Sequence, residues 1–141
     1  MHRSNRKLVS VVLSISVALL LLGAGCQNWQ QAPGTLRGTV TIGPIWPVER
    51  PGESPPVSPH VFEARKVIVY NKAKTRVVET LGLTQIGQSA KASYNVQLKP
   101  GEYIVDINHD GIDSSSDVPR KIEIESGQTV TVDIDIDTGI R

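Results

Sequence analysis

The chain has 141 residues, 39% hydrophobic, 4% aromatic and 21% charged, with 12 glycines, 9 prolines and one cysteine, which excludes a collagen-like chain and a disulfide scaffold and leaves room for one domain. The formal charge of +1 conceals an uneven distribution, because Arg3, Arg6 and Lys7 precede a long apolar run and all 14 acids follow it. Without those three cations the balance turns negative, which gives no support for a nucleic-acid partner.

The chain opens as an export signal. A basic stretch, His2 to Lys7, leads into the uncharged run Leu8 to Leu22 and then into Gly23, Ala24, Gly25 and Cys26. The run falls short of the roughly 20 residues that cross a bilayer as a helix, although adding Gly23 to Gly25 leaves an uncleaved anchor as the alternative to a cleaved signal peptide over 1–25. Leu22-Gly23-Ala24-Gly25-Cys26 resembles the lipobox of bacterial lipoproteins, with Gly23 where a larger apolar residue is usual. The resemblance implies that Cys26 is the lipidation site, carrying diacylglycerol as the new first residue. Two or three acyl chains hold a protein stably on a membrane, at about 0.8 kcal/mol per buried methylene. Gln27 in place of Asp resembles the pattern sent to the outer membrane. Residues 26–34 are polar apart from Trp29 and read as a tether.

From Leu36 onward the dominant hydrophobic period is two, the mark of a strand with one buried and one wet face. Strands are expected along Leu36, Gly38, Val40 and Ile42, then over Lys66 to Tyr70, Arg76 to Leu83, Ser93 to Leu98, Glu102 to Asn108, Lys121 to Glu125 and Thr129 to Asp137. Lys66 to Tyr70 is almost continuously apolar and should be central. About seven short strands in 35–141 predict an all-β fold, an antiparallel Greek-key sandwich of two sheets preceded by the signal helix. The last two strands are expected to form a hairpin with Glu125 opposite Thr129 and Lys121 opposite Asp133, partly relieving the ladder Asp133, Asp135 and Asp137, whose members sit about 6.7 Å apart. The ladder reads as a solubilising, edge-protecting device, with a cation or a basic partner as the alternative.

Leu98-Lys99-Pro100-Gly101-Glu102-Tyr103 places Pro before Gly as a type II turn requires. The pattern Leu98, Pro100, Gly101 and Tyr103 is also that of a tyrosine corner, in which the phenol bonds the backbone just upstream and the chain crosses between sheets. A plain hairpin pairing Leu98 with Tyr103 is the alternative, disfavoured because type II turns splay hairpin strands. Together with Gly38-Thr39-Val40-Thr41 and Gly127-Gln128-Thr129-Val130, the stretch Tyr94 to Val105 resembles the carboxypeptidase-regulatory-like, or prealbumin-like (transthyretin-like), domains of bacterial surfaces. That resemblance spans Thr35 to Asp137 and implies a seven-stranded Greek-key sandwich, with Ala92 where a glycine is often found. It implies no activity. The isopeptide crosslink of the related collagen-adhesin B-type domains is not expected, since Arg37 stands where a lysine nucleophile is needed and Ile107 where the glutamate is. The histidines and C-terminal signature of the hydroxyisourate hydrolases are absent.

The remaining polar residues offer little catalytic chemistry. Beyond the signal segment only His60 and His109 remain, and no serine sits in a nucleophile-elbow pattern, so no enzyme is expected. Asn108, Asp110, Asp113 and Asp117 crowd one loop and could hold calcium as the sole metal, though without EF-hand spacing; a solvated turn is the other reading. The segment 43–60 carries six prolines and must be extended and stiff over most of its length. Its Trp46 either projects as a partner contact or folds back over an open end of the sandwich. The resulting expectation is a non-catalytic binding or structural module. It is exported across the inner membrane and held at the outer membrane or cell surface by lipid on Cys26, with an envelope protein or glycan as partner and no organic cofactor. Its rival is a calcium-dependent carbohydrate or peptide binder using residues 108–117.

Overall fold

The computed structural model describes residues 31–47, 52 and 55–140. The signal segment, Cys26, Trp29 and most of the tether lie outside them. The described residues belong to one compact unit that starts at Gln31.

The alternating side chains build two sheets. The first has the order β4 (Thr84–Gln85), β5 (Lys91–Leu98), β1 (Gly34–Gly43), then β8 (Thr129–Thr131) with β9 (Ile134–Asp137) continuing along the same side of β1. The second has the order β3 (Val77–Gly82), β2 (Lys66–Asn71), β6 (Gly101–Ile107), β7 (Arg120–Ile124). Leu36, Val40 and Ile42 of β1 and Val132, Ile134 and Ile136 face Val67, Val69, Val105, Ile107, Ile122 and Ile124 across one shared core. The β-branched residues that give these strands their propensity are thus also the ones that fill the space between the sheets. Within a sheet only β2–β3, β4–β5 and β6–β7 are consecutive neighbours; β1–β5 and β2–β6 join strands distant in sequence, as a Greek key requires.

Three expectations need correction. The last strand does not form a hairpin with β7: it runs parallel to β1 in the other sheet, with Thr35 opposite Thr129 and Val40 opposite Ile134. Lys121 instead pairs with Ile104, and Ser126-Gly127-Gln128 is a crossover between sheets. The strand is also interrupted at Val132 and Asp133, and the expected strand over Arg76 to Leu83 gives way at Leu83 to the two-residue β4. The proline-rich segment leads at Pro59 into a single helical turn, α1 (His60–Glu63), which buries Phe62; Val57 is buried as well.

The strands share two poles. Gly34, the turn after Asn71, the crossing at Lys99-Pro100 and the 125–128 turn gather at the pole where the chain enters, and the Pro33 carbonyl accepts from Gly127 N there at 3.3 Å. The connections 86–90 and 108–119, and the described ends of 44–65, lie at the other end of the strands. Ten residues of β1 separate the two poles by about 30 Å.

Candidate functional site

The loop pole collects the candidate polar residues, and each of the buried ones is tied into the fold. Asn108 follows β6 directly, where its Oδ1 accepts from the backbone N–H of Lys66 and its Nδ2 donates to the Ala64 carbonyl at 2.8 Å. It thereby staples the start of β2 to the end of β6. Asp113 turns inward to meet Arg65: Nε to Oδ2 is 2.7 Å, with the two side chains 10% and 4% exposed. The same guanidinium donates to the Val61 carbonyl, so one arginine links α1 to the acidic loop. Asp117 accepts from Asp135 N at 2.8 Å, and Ser114 exchanges two backbone bonds with Asp137 at 2.9 and 2.8 Å. The loop therefore lies along the outer edge of β9 and satisfies groups that a bare edge would leave to solvent.

These placements bear on the calcium reading. Asn108, Asp110, Asp113 and Asp117 do not converge: Asp113 faces Arg65, Asp117 caps β9, Asn108 clasps β2, and Asp110 stays exposed at a turn closed by Asp113 N to its carbonyl, 3.2 Å. Among the described residues no three His, Cys, Asp or Glu side chains stand close enough to hold a metal ion. His60 pairs with Glu63, at 2.8 Å, and this exposed hydrogen bond moves its pKa upward. His109 is exposed. Ile112, at the tip of the loop, is 75% exposed and rests beside Gly139.

Trp46 and Ile45 pack against the core and are half-buried. The indole follows the end of β1 at the loop pole and so packs over that end of the sandwich. At the opposite pole Tyr103 Oη donates to the Lys99 carbonyl, 2.8 Å away, and the chain passes there from β5 in one sheet to β6 in the other. Leu98 is buried and pairs with Gly34, not with Tyr103. Gly101 has φ of +154°, more extended than the roughly +80° of a type II turn.

Sequence reasoning missed a second tyrosine. Tyr94 of β5 stands opposite Gly38 of β1, and its hydroxyl reaches across that glycine to the Val132 carbonyl at 2.6 Å. Thr39 N, whose position in the parallel ladder is interrupted there, donates to the Asp133 carboxylate at 2.8 Å instead. Burial is the first cause that drives the Tyr94 phenol pKa upward, and the Asp133 charge adds to it. The only sequence signal was Gly38 itself, a residue without a side chain in the middle of a strand.

Comparison with known proteins leaves the fold to stand on this geometry. No protein-family model matches the chain, and no curated protein matches it. Among solved structures it is similar to GBS52, the minor pilin of the Gram-positive pathogen Streptococcus agalactiae, with a TM-score of 0.43 and 14% identity over 76% of this chain. The chain spans 45% of that pilin's length.

Proposed function

We propose that this chain is a lipid-anchored envelope protein whose β-sandwich serves as a non-catalytic structural or binding module. The anchor rests on the lipobox-like Leu22 to Cys26 and the tether behind it. The observation that carries the reading of the domain is how its buried and half-buried polar side chains are used: Arg65, Asn108, Asp113 and Tyr94 each bond to another part of the sandwich. Groups committed in this way stabilise a scaffold and are not poised to transfer protons or hold a substrate. The poles support the same view. The chain enters at the end with short turns, so the long loops lie at the end of the domain remote from that entry.

The test is metabolic labelling of cells with an alkyne fatty acid. The wild-type chain should take up label and partition into the membrane fraction, and Cys26→Ser should do neither while the sandwich stays folded. Labelled Cys26→Ser, or an unlabelled wild type, overturns the anchor.

A further inference from the structure

The two edges of the first sheet are open over the same stretch. Beyond Ser93, β5 has no hydrogen-bonded strand on its outer side among the described residues, because β4 begins at Thr84, opposite Ser93, and the residue Gly82 before it is already paired with Lys66 in the other sheet. Even-numbered residues of β1 bond towards β5, since Ile42 N donates to Ala90 O, whereas Thr35 N and Arg37 O bond towards β8. The strand period of two then turns the backbone groups of Asn95 and Gln97 outward. On the far side of the sheet, Gln128 O and Val132 N are bonded to β1, so those of Thr129 and Thr131 face outward. Asn95, Gln97, Thr129 and Thr131 are all exposed. The other half of each edge is covered, β5 by β4 and β9 by Ser114 and Asp117. A chain that shields both edges at the loop pole leaves both bare at the entry pole.

We propose that copies of this chain associate side by side, the free edge of β5 in one copy pairing antiparallel with the free edge of β8 in the next. Since β5 is antiparallel and β8 parallel to β1, shifting one copy sideways along its own sheet brings β8 antiparallel against β5 with the poles level. Asn95 then faces Thr131 and Gln97 faces Thr129, with Val96 and Val130 between them on the inner face. Both valines are half-buried in the single copy, so the pairing covers apolar surface as well as backbone groups.

Charge selects a second copy as the occupant. From Gly82 to Pro100 the β5 margin carries Lys91 and Lys99 and no acid. From Glu123 to Asp137 the other margin carries five acids and no base. Unlike margins on opposite sides of one molecule favour head-to-tail contact and penalise like edges meeting, so the contact is heterologous and the series open-ended. The inference stands apart from the lipid anchor and needs no acyl group.

Sedimentation of the full chain in non-ionic detergent tests it. The mass should rise with protein concentration and fall back at high salt. Asn95→Pro and Thr131→Pro, each removing one outward N–H, should each weaken association on the order of tenfold or more. An equimolar mixture of the two should give a dimer and nothing longer, since one intact edge of each kind remains. Should either proline variant fail to fold, judged by circular dichroism, Lys91→Glu with Lys99→Glu should weaken association in the same way, because both lysines are exposed. A wild type that stays monomeric at every concentration overturns the proposal. So does association that these variants leave unchanged.

Discussion

The Tyr94 hydroxyl and the Val132 carbonyl meet at 2.6 Å across Gly38, joining strands that are not neighbours in the sheet. The phenol thereby stands in for a missing ladder bond, since Thr39 N has turned to Asp133. Removing it leaves a buried acceptor without a partner, which costs about 1–3 kcal/mol. Tyr94→Phe should lose that much in urea unfolding with an unchanged slope. Tyr103→Phe, whose acceptor lies at the exposed Lys99, should lose about 1 kcal/mol or less. Equal losses at the two tyrosines would contradict this account.

The same phenol makes the fold sensitive to alkali. Burial raises its folded-state pKa above the ordinary value, so between the two values the folded chain holds a proton that the unfolded chain has released. The contribution is complete below pH about 10 and falls away as the pH climbs further. Melting temperatures of wild type and Tyr94→Phe should therefore converge in strong alkali. A difference that stays constant up to the highest pH at which both fold would refute the assignment.

Gly38 is required by proximity and not by a special backbone angle. A Cβ built there would stand 1.8 Å from the Val132 carbonyl oxygen and 2.9 Å from the Tyr94 ring. The first contact is with backbone, which cannot swing aside, so Gly38→Ala must push β1 away from the last strand. We expect a loss of about 3 kcal/mol or more, read as a lowered melting temperature or a failure to fold. Gly43→Ala, with nothing within 4 Å of the added carbon, is the control and should stay close to wild type.

The strands were legible because period-two alternation reports burial directly: Val130, Val132, Ile134 and Ile136 do share the inner face. Partners were not legible. Alternation says which face of a strand is wet but not which neighbour it takes, and Thr129 to Asp137 suits a hairpin with β7 as well as a parallel place beside β1. The corner at Tyr103 could be read because its contacts are local, the phenol reaching back only to Lys99. Arg65 and Asp113, separated by 48 positions, carry no such local mark. The loop from Asn108 to Asp117 reads as a cation site on composition alone, yet Asn108 and Asp117 accept from backbone N–H groups and Asp113 faces Arg65.

That use of the loop oxygens bears on calcium. Binding a cation would require Asn108, Asp113 and Asp117 to leave Lys66, Arg65 and Asp135, exchanging bonds the fold depends on for new ones. Calcium at millimolar concentration should therefore leave the melting temperature of the wild type unchanged and release no heat in calorimetry. A melting temperature that rises with calcium, and no longer does so in Asp110→Asn or Asp117→Asn, would show that the loop rearranges around the ion.

The Arg65 and Asp113 pair separates the cost of breaking a buried ion pair from the worth of having one. Both side chains are almost wholly withdrawn from water, so each was desolvated on folding, and their attraction does little more than offset that penalty. Asp113→Asn leaves the guanidinium charged and facing a neutral amide, which should cost about 3–5 kcal/mol. Arg65→Met leaves an equally isolated carboxylate and should cost a similar amount. The double variant Arg65→Met with Asp113→Leu removes both charges while keeping apolar volume between α1 and the loop, and should recover most of the loss in chemical denaturation. Strict additivity of the single losses would mean that the two side chains are not coupled. In that case the helical turn at His60–Glu63, held by Phe62, Val61 and the Arg65 bond to the Val61 carbonyl, would not depend on Asp113.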